Sequence, residues 1–258
     1  MIYTLTPNPS VDYFLTVEDP EFSDVNRIRD CHFMPAGKGI NVSKLLEVLE
    51  MPSTALYFSG GYAGQYIDNS LAASHLIKAL PFHISGMTRI NVKLVGAVDH
   101  AFNPAGPLID PEASQQLLDY LDVLQAEDIV IISGSLPRGM DRDYIRSICT
   151  VIHDHRARAI LDVPGYSLSD YEGLRPWLIK PNLDEFRQLL DKPELPAEEA
   201  RHYMSRLHEK GVVNVLLSLG GDGALFSGPD GCFHISAPKV RVVKTVAAGD
   251  SMLGAFAG

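Results

Sequence analysis

Residues 128–139, Asp128-Ile129-Val130-Ile131-Ile132-Ser133-Gly134-Ser135-Leu136-Pro137-Arg138-Gly139, decide the fold. The run 129–132 is short, unbroken and apolar, with no polar residue at alternate positions. That pattern predicts a strand buried on both faces, as in a parallel sheet covered by helices on each side. The segment after it is polar and glycine-rich. In open parallel sheets, ligands bind where strands end at their carboxyl edge and loops turn into helices.

Working outward, apolar residues at helical spacing predict a helix over roughly 38–50 (Ile40, Val42, Leu45, Leu46, Leu49) and another around Leu117, Leu118, Leu121 and Leu124. Further helices are expected around Ile145–Ile152, from about Leu183 to Leu190, over roughly 197–210, and from near Asp250. Strands are expected at Ile2–Thr6, 159–162, 177–179 and 213–219. Alternating strand and helix predicts an α/β domain with a doubly wound, mostly parallel sheet. Residues 10–34 and 88–103 break this rhythm with strands of mixed polarity, and read as a small separate sheet that could cover a site. A pair of surface hairpins fits the same pattern.

Two more polar loops follow apolar runs, Lys180-Pro181-Asn182-Leu183-Asp184-Glu185 and Ser218-Leu219-Gly220-Gly221-Asp222-Gly223, and a further segment of interest is Thr245-Val246-Ala247-Ala248-Gly249-Asp250-Ser251. In the last, small residues lead into a helix with a carboxylate in its first turn. A helix start offers unpaired N–H groups and a positive dipole end, and small side chains let a phosphate approach them. By itself Asp250 also fits an ordinary N-cap. Pro35-Ala36-Gly37-Lys38-Gly39-Ile40-Asn41 opens the first long helix with flexible backbone, a cation and an amide, but lacks the Gly-Lys-Ser/Thr of a P-loop. Asn8-Pro9-Ser10-Val11-Asp12 puts a carboxylate in the first loop, where it could accept from sugar hydroxyls or simply stabilise a turn.

Together with Thr6-Pro7-Asn8-Pro9-Ser10-Val11-Asp12, Gly37-Lys38-Gly39-Ile40-Asn41-Val42-Ser43, Thr88-Arg89-Ile90-Asn91-Val92-Lys93 and Ser133-Gly134-Ser135-Leu136-Pro137, these segments resemble the ribokinase-like, PfkB-type carbohydrate kinases. The branch they are most similar to is the 1-phosphofructokinase and tagatose-6-phosphate kinase group. The resemblance implies one ribokinase-like domain over 1–258, with a small β-sheet lid formed by about 10–34 and 88–103. It implies an ATP-dependent kinase, with Mg2+, acting on a ketohexose phosphate, fructose 1-phosphate being the leading expectation. Tagatose 6-phosphate, or a catalytically impaired sugar-phosphate binder, are the alternatives.

The resemblance also implies roles. Asp12, Gly37, Lys38, Asn41 and Ser135 would hold the sugar, with Arg27, Lys38, Arg89 and Arg138 around its phosphate. Lys180, Asn182, Ser218, Gly220, Gly221 and Gly223 would serve the nucleotide. Asn182 and Glu185 would position Mg2+, largely through water. Asp250 would be the base, and the amides of Ala247, Ala248, Gly249 and Asp250 the anion hole. Departures are Ala36 and Ala247, where the family usually has Gly, and Val163-Pro164-Gly165, which replaces a more polar loop. If position 247 needs φ > 0, Ala costs on the order of 1 kcal/mol there. The family normally continues through further helices, so the chain reads as C-terminally truncated.

The formal net charge of −10 over 258 residues argues against nucleic-acid or anionic-membrane binding. Three cysteines, Cys31, Cys149 and Cys232, form no C-x-x-C pair and predict reduced thiols. Neither a signal peptide nor a membrane span is expected, which points to the cytoplasm. A dinucleotide oxidoreductase would need G-x-G-x-x-G after the first strand, and the sequence lacks it. Free edges on the small sheet suggest a homodimer through the lid.

Overall fold

The computed structural model describes every residue except 19, 22, 97 and 241–246. Chain order is β1 (Ile2–Thr6), β2 (Ser10–Thr16), β3 (Asp30–Ala36), α1 (Lys38–Val48), β4 (Ser53–Ser59), α2 (Gly61–Ala72), β5 (Ile77–His83), β6 (Arg89–Val95) and β7 (His100–Phe102). Then come α3 (Pro111–Tyr120), β8 (Ile129–Ser133), α4 (Arg142–Asp154), β9 (Arg158–Asp162), β10 (Leu178–Ile179) and α5 (Leu183–Leu190). The last elements are α6 (Ala200–Tyr203), α7 (Ser205–His208), β11 (Asn214–Ser218), β12 (Ala224–Gly228), β13 (Gly231–Ile235) and α8 (Ala248–Ala257).

Among the described residues, nine strands form the main sheet in the order β13-β12-β11-β10-β9-β8-β1-β4-β5. Pairing is parallel from β11 to β5. At one end of the sheet, β11–β12 and β12–β13 pair antiparallel. Strand β8 shows why the apolar run decides the fold. Val130 and Ile132 pack on one face, with residues of α3, α4 and α5. Ile131 packs on the other, with Val42 and Leu46 of α1 and Leu253 of α8. A strand buried on both sides has no solvent face to encode, so its alternation vanishes.

Strand order reverses at β1, which lies between β4 and β8. Carboxyl ends diverge at such a point and leave a crevice. The loops after β1, β8, β9 and β10 therefore frame the site. A second sheet, in the order β3-β2-β6-β7, carries strands from both interrupting regions. Asp19, Phe22 and Ala97, within those regions, lie outside the described residues, as do Thr245 and Val246 of the motif before α8.

One expectation is corrected. The helix over 197–210 is three short pieces, a 3-10 turn at Ala197–Glu199 followed by α6 and α7. At the break, Leu207 N donates to Met204 O three residues back, so the turn is tighter than α-helical. The final helix starts at Ala248, with Ala247 as its cap, so Asp250 lies inside the first turn and is not an N-cap.

Candidate active site

The start of α8 is built around an uncapped end. Ala247 occupies the cap position with φ 63° and ψ 5° and has no side-chain acceptor to offer. Its carbonyl accepts from Ser251 N at 2.8 Å, which closes the first turn. First-turn amides have no intrahelical partner, and here no side chain at the cap takes one. The positive φ that the sequence raised as a condition is thus present at Ala247.

Asp250 is 7% exposed and accepts from Asn41 Nδ2 at 2.8 Å through Oδ2. Burial is the main reason its carboxyl titrates above the ordinary carboxylate range. The Asn41 amide opposes that shift, Asp162 adds to it, and Lys38 and Lys180 oppose it. Asn41 is held by the first turn of α1, where its N–H donates to Gly37 O at 2.9 Å. Gly37 has φ +138°, and a methyl there would collide with Thr6 of β1. Glycine is what lets α1 begin against the end of β1.

Asp162, the last residue of β9, is a site residue that the sequence reading does not single out. Its Oδ1 pairs with Lys38 Nζ at 3.3 Å and Lys180 Nζ at 3.4 Å. Asp162 and Lys180 are both buried. Lys38 also faces Glu185 Oε1 at 3.9 Å. Burial pulls the Lys38 pKa down, but Asp162, Glu185 and Asp250 outweigh it and hold it above the usual lysine value. A methyl on Gly249 would stand 3.2 Å from Lys180 Nζ, so this cation lies beside the first turn of α8. The signal that could have found Asp162 is the one that marks the other loops, a polar residue at a parallel strand's carboxyl end. The apolar Val163-Pro164 that follows it masks that signal.

Asn182 and Glu185 form a capping box on α5. Asn182 Oδ1 accepts from Glu185 N at 2.8 Å, and Glu185 Oε2 accepts from Asn182 N at 2.9 Å. That leaves Glu185 Oε1 turned to Lys38. Ser218 N donates to Pro181 O at 3.0 Å, tying the β11 loop to the β10 loop. Gly220 and Gly223 have φ of +60° and +93°, while Gly221 faces open space with no positive φ.

Among the residues expected to hold the sugar, Asp12 of β2 accepts through Oδ1 from Asn91 Nδ2 at 2.7 Å and Ser10 Oγ at 3.1 Å. Arg89 and Arg138 line one groove of about 700 Å³ together with Pro104, Ala105 and Gly106. Ser135 accepts from Asn8 Nδ2 at 3.2 Å. Burial lowers the Arg89 pKa, against the pull of Asp12. Arg27 lines a different cleft in the second sheet's connecting loop, with Glu18, Glu21 and Asp24. The structure thus brings Asn41, Asp250, Lys38 and Lys180 together, and Arg89 with Arg138, but among the described residues it places Arg27 with neither group.

Among the described residues, no cluster of three or more His, Cys, Asp or Glu could hold a metal ion alone. The oxygens at hand nevertheless fit Mg2+. Asp162 Oδ2 is buried without a hydrogen-bond partner among the described residues, and Glu185 Oε1 lies across Lys38 from it. Hard carboxylate oxygens that supply part of a coordination shell suit an ion shared with phosphates and water. Among the described residues, no helix is long and apolar enough to cross a membrane.

Known proteins match this architecture along its length. The model of the pfkB family carbohydrate kinases matches residues 8–258. The chain is 38% identical over 256 residues to 1-phosphofructokinase of Bacillus subtilis (strain 168), covering 99% of this chain and 84% of that one. It is 35% identical over 259 residues to D-tagatose-1-phosphate kinase of Bacillus licheniformis, covering 100% and 85%. The crystal structure of phosphofructokinase-2 from Escherichia coli in complex with fructose-6-phosphate superimposes with a TM-score of 0.90. There the identity is 27%, over 99% of this chain and 85% of that chain.

Proposed function

The chain belongs to the pfkB family of carbohydrate kinases, and from that membership and the site geometry we propose that it transfers the γ-phosphoryl group of ATP to a ketohexose phosphate. Fructose 1-phosphate is the acceptor, giving fructose 1,6-bisphosphate and ADP. One observation carries it: a buried carboxylate, Asp250, is hydrogen-bonded to Asn41 in the first turn of a helix whose cap blocks none of its amides.

The acceptor hydroxyl oxygen attacks the γ-phosphorus, the bond to the β–γ bridging oxygen breaks, and Asp250 takes the hydroxyl proton. Phosphoryl transfer passes through a loose, charge-rich transition state, so positioning and charge stabilisation do most of the work. Asn41 holds the Asp250 carboxylate in one orientation. The amides of Ala248, Gly249 and Asp250 face the developing charge on the transferring group. Lys180, beside Gly249, and Lys38 add fixed positive charge there. Burial of Asp250 lifts its pKa toward the operating pH, which improves an otherwise weak base.

Mg2+, when bound, would neutralise charge on the phosphate oxygens; Asp162 Oδ2 and Glu185 Oε1 are the protein oxygens that would hold it, with Asn182 fixing Glu185. Asp12, with one oxygen held by Asn91 and Ser10, keeps the other for sugar hydroxyls. The names of the two relatives, a 1-phosphofructokinase and a D-tagatose-1-phosphate kinase, support a substrate phosphate on C1. The second name makes the tagatose epimer a second acceptor to test.

A second copy of the chain is the partner this reading gives to the small sheet. Phe33, Met34 and Phe102 are exposed on it, and β3 and β7 are its edges.

The test is coupled ADP release with fructose 1-phosphate, tagatose 1-phosphate and tagatose 6-phosphate, on wild type and Asp250→Asn. Fructose 1-phosphate is expected to give the highest kcat/KM. The substitution is expected to cost about 10²–10⁴ in kcat. Sugar-phosphate binding without turnover in either protein would replace the kinase by a binder, the alternative that the strained Ala247 favours.

A further inference from the structure

Three consecutive carbonyls of the strap between β7 and α3 each accept from a different segment. Pro104 O accepts from Arg89 Nη1 at 3.0 Å, Ala105 O from Asn8 Nδ2 at 2.9 Å, and Gly106 O from Arg138 Nε at 3.3 Å. Asn8 lies at the centre of this arrangement. Its Nδ2 also donates to Ser135 Oγ, and its backbone oxygen accepts from Arg89 Nη2 at 3.0 Å. Asn8 is 3% exposed. Gly106 has φ +98°, and a methyl on it would collide with Asn8 Oδ1. Beyond the strap, Ile109 N donates to Arg138 O at 2.9 Å.

We propose that Asn8 is the positioning residue for recognition of the phosphate already on the sugar. It fixes the 104–106 strap, and the strap fixes the guanidinium groups of Arg89 and Arg138 that line the same groove. The physical basis is preorganisation. A flexible arginine must lose rotamer freedom to grip a phosphate, whereas one tied through Nε has already lost it. Arg138, tied to Gly106 O by Nε, keeps both Nη groups for a two-pronged contact with phosphate oxygens. Arg89 is held at both terminal nitrogens, by Pro104 O and Asn8 O, so its charge is fixed in the groove wall. A sugar without a phosphate draws on neither cation. Asn8 therefore sets the preference for a phosphorylated over a neutral sugar, not the chemical step.

This inference rests on the function proposed above, and the experiment separates the two. Asn8→Ala is compared with wild type on fructose 1-phosphate and on fructose, alone and combined with Arg138→Ala. Expected is a rise of about tenfold in KM for the sugar phosphate, with kcat and KM for ATP within about twofold. Turnover of fructose is expected to stay unchanged. In the Arg138→Ala background the same substitution is expected to have a much smaller effect, because it acts through that arginine. Gly106→Ala, which pushes the strap off Asn8 from the other side, is expected to give the same KM pattern. Equal effects on fructose and fructose 1-phosphate, a fall in kcat at constant KM, or effects of Asn8→Ala and Arg138→Ala that simply multiply would overturn it. If wild type turns over no ketohexose phosphate, the proposed function fails, but amide hydrogen exchange with added inorganic phosphate still decides the role of Asn8. Phosphate is then expected to slow exchange across residues 104–109 in wild type and not in Asn8→Ala. Identical exchange in the two proteins would reject the role.

Discussion

Asn41 Nδ2 donates to Asp250 Oδ2 at 2.8 Å, joining the first turn of α1 to the first turn of α8. Those turns lie at opposite ends of the sequence, and the bond is what fixes the direction of the proposed base. It also opposes the burial that raises the Asp250 pKa.

That opposition has a sign that can be measured. Asp250 acts as a base only when ionised, so kcat/KM falls as pH drops through its pKa, which lies above the ordinary value of about 3.9. Asn41→Ala removes the hydrogen bond that favours the carboxylate, and the acid limb is expected to move to higher pH. A limb that stays put, or moves to lower pH, would show that the bond does not tune the base.

Asp250→Asn is expected to lose activity and gain stability. A carboxyl whose folded pKa is raised contributes stability that is fully present below its unfolded pKa and lost as pH rises through the folded one. At neutral pH the fold therefore carries an ionised, buried Asp250 at a cost. Its amide counterpart is expected to melt higher, on the order of 2 °C. Thermal unfolding of both proteins from neutral to acid pH checks this, and the gap is expected to close as wild type protonates.

Ala247→Gly relieves a positive φ that an L side chain adopts only with strain. The expected gain is up to about 1 kcal/mol in denaturant unfolding, offset in part by the greater freedom of glycine in the unfolded chain. If the strain also displaces the anion-binding amides, kcat rises as well. Ala247→Val, β-branched, is expected to lower both stability and kcat.

Asp162→Ala leaves Lys180 buried without its counter-charge. Breaking a buried ion pair from one side costs about 3–5 kcal/mol. Asp162→Asn is expected to cost less, because it keeps an acceptor for Lys38 and Lys180. Both are expected to raise the Mg2+ concentration needed for half-maximal rate. A Mg2+ dependence equal to wild type in Asp162→Asn would remove Asp162 from the metal site.

The proposed pairing through the small sheet predicts a shift toward monomer in Phe33→Asp, read by sedimentation. Phe33 stacks on Tyr13 at 4.2 Å, so the melting curve must be recorded alongside. A monomeric wild type would end the proposal.

The fold is legible where burial leaves a local trace. Helix α1 repeats Ile40, Val42 and Leu46 toward the core, and β8 is apolar from Ile129 to Ile132. In β4, for which no strand is expected from the sequence, the trace is weaker. Every residue of β4 is buried, Ser53, Thr54 and Ser59 included, and those hydroxyls dilute the apolar run. For the site, Asp250, Asn41, Lys38 and Lys180 each stand out in their loops. Asp162 and Asn8 do not, because their roles lie in contacts across the switch point and not in any local pattern.

The sequence by itself determined many of the strands and helices, and which polar loops follow the apolar strands, because periodicity and glycine placement are properties of neighbours along the chain. Only the tertiary structure decided which of those loops meet. Asp162 stands between Lys38 and Lys180, and Asn8 between Arg89 and Arg138, because β1 lies between β4 and β8 in the sheet. Strand order is set by packing over the whole domain, and no local stretch of sequence encodes it.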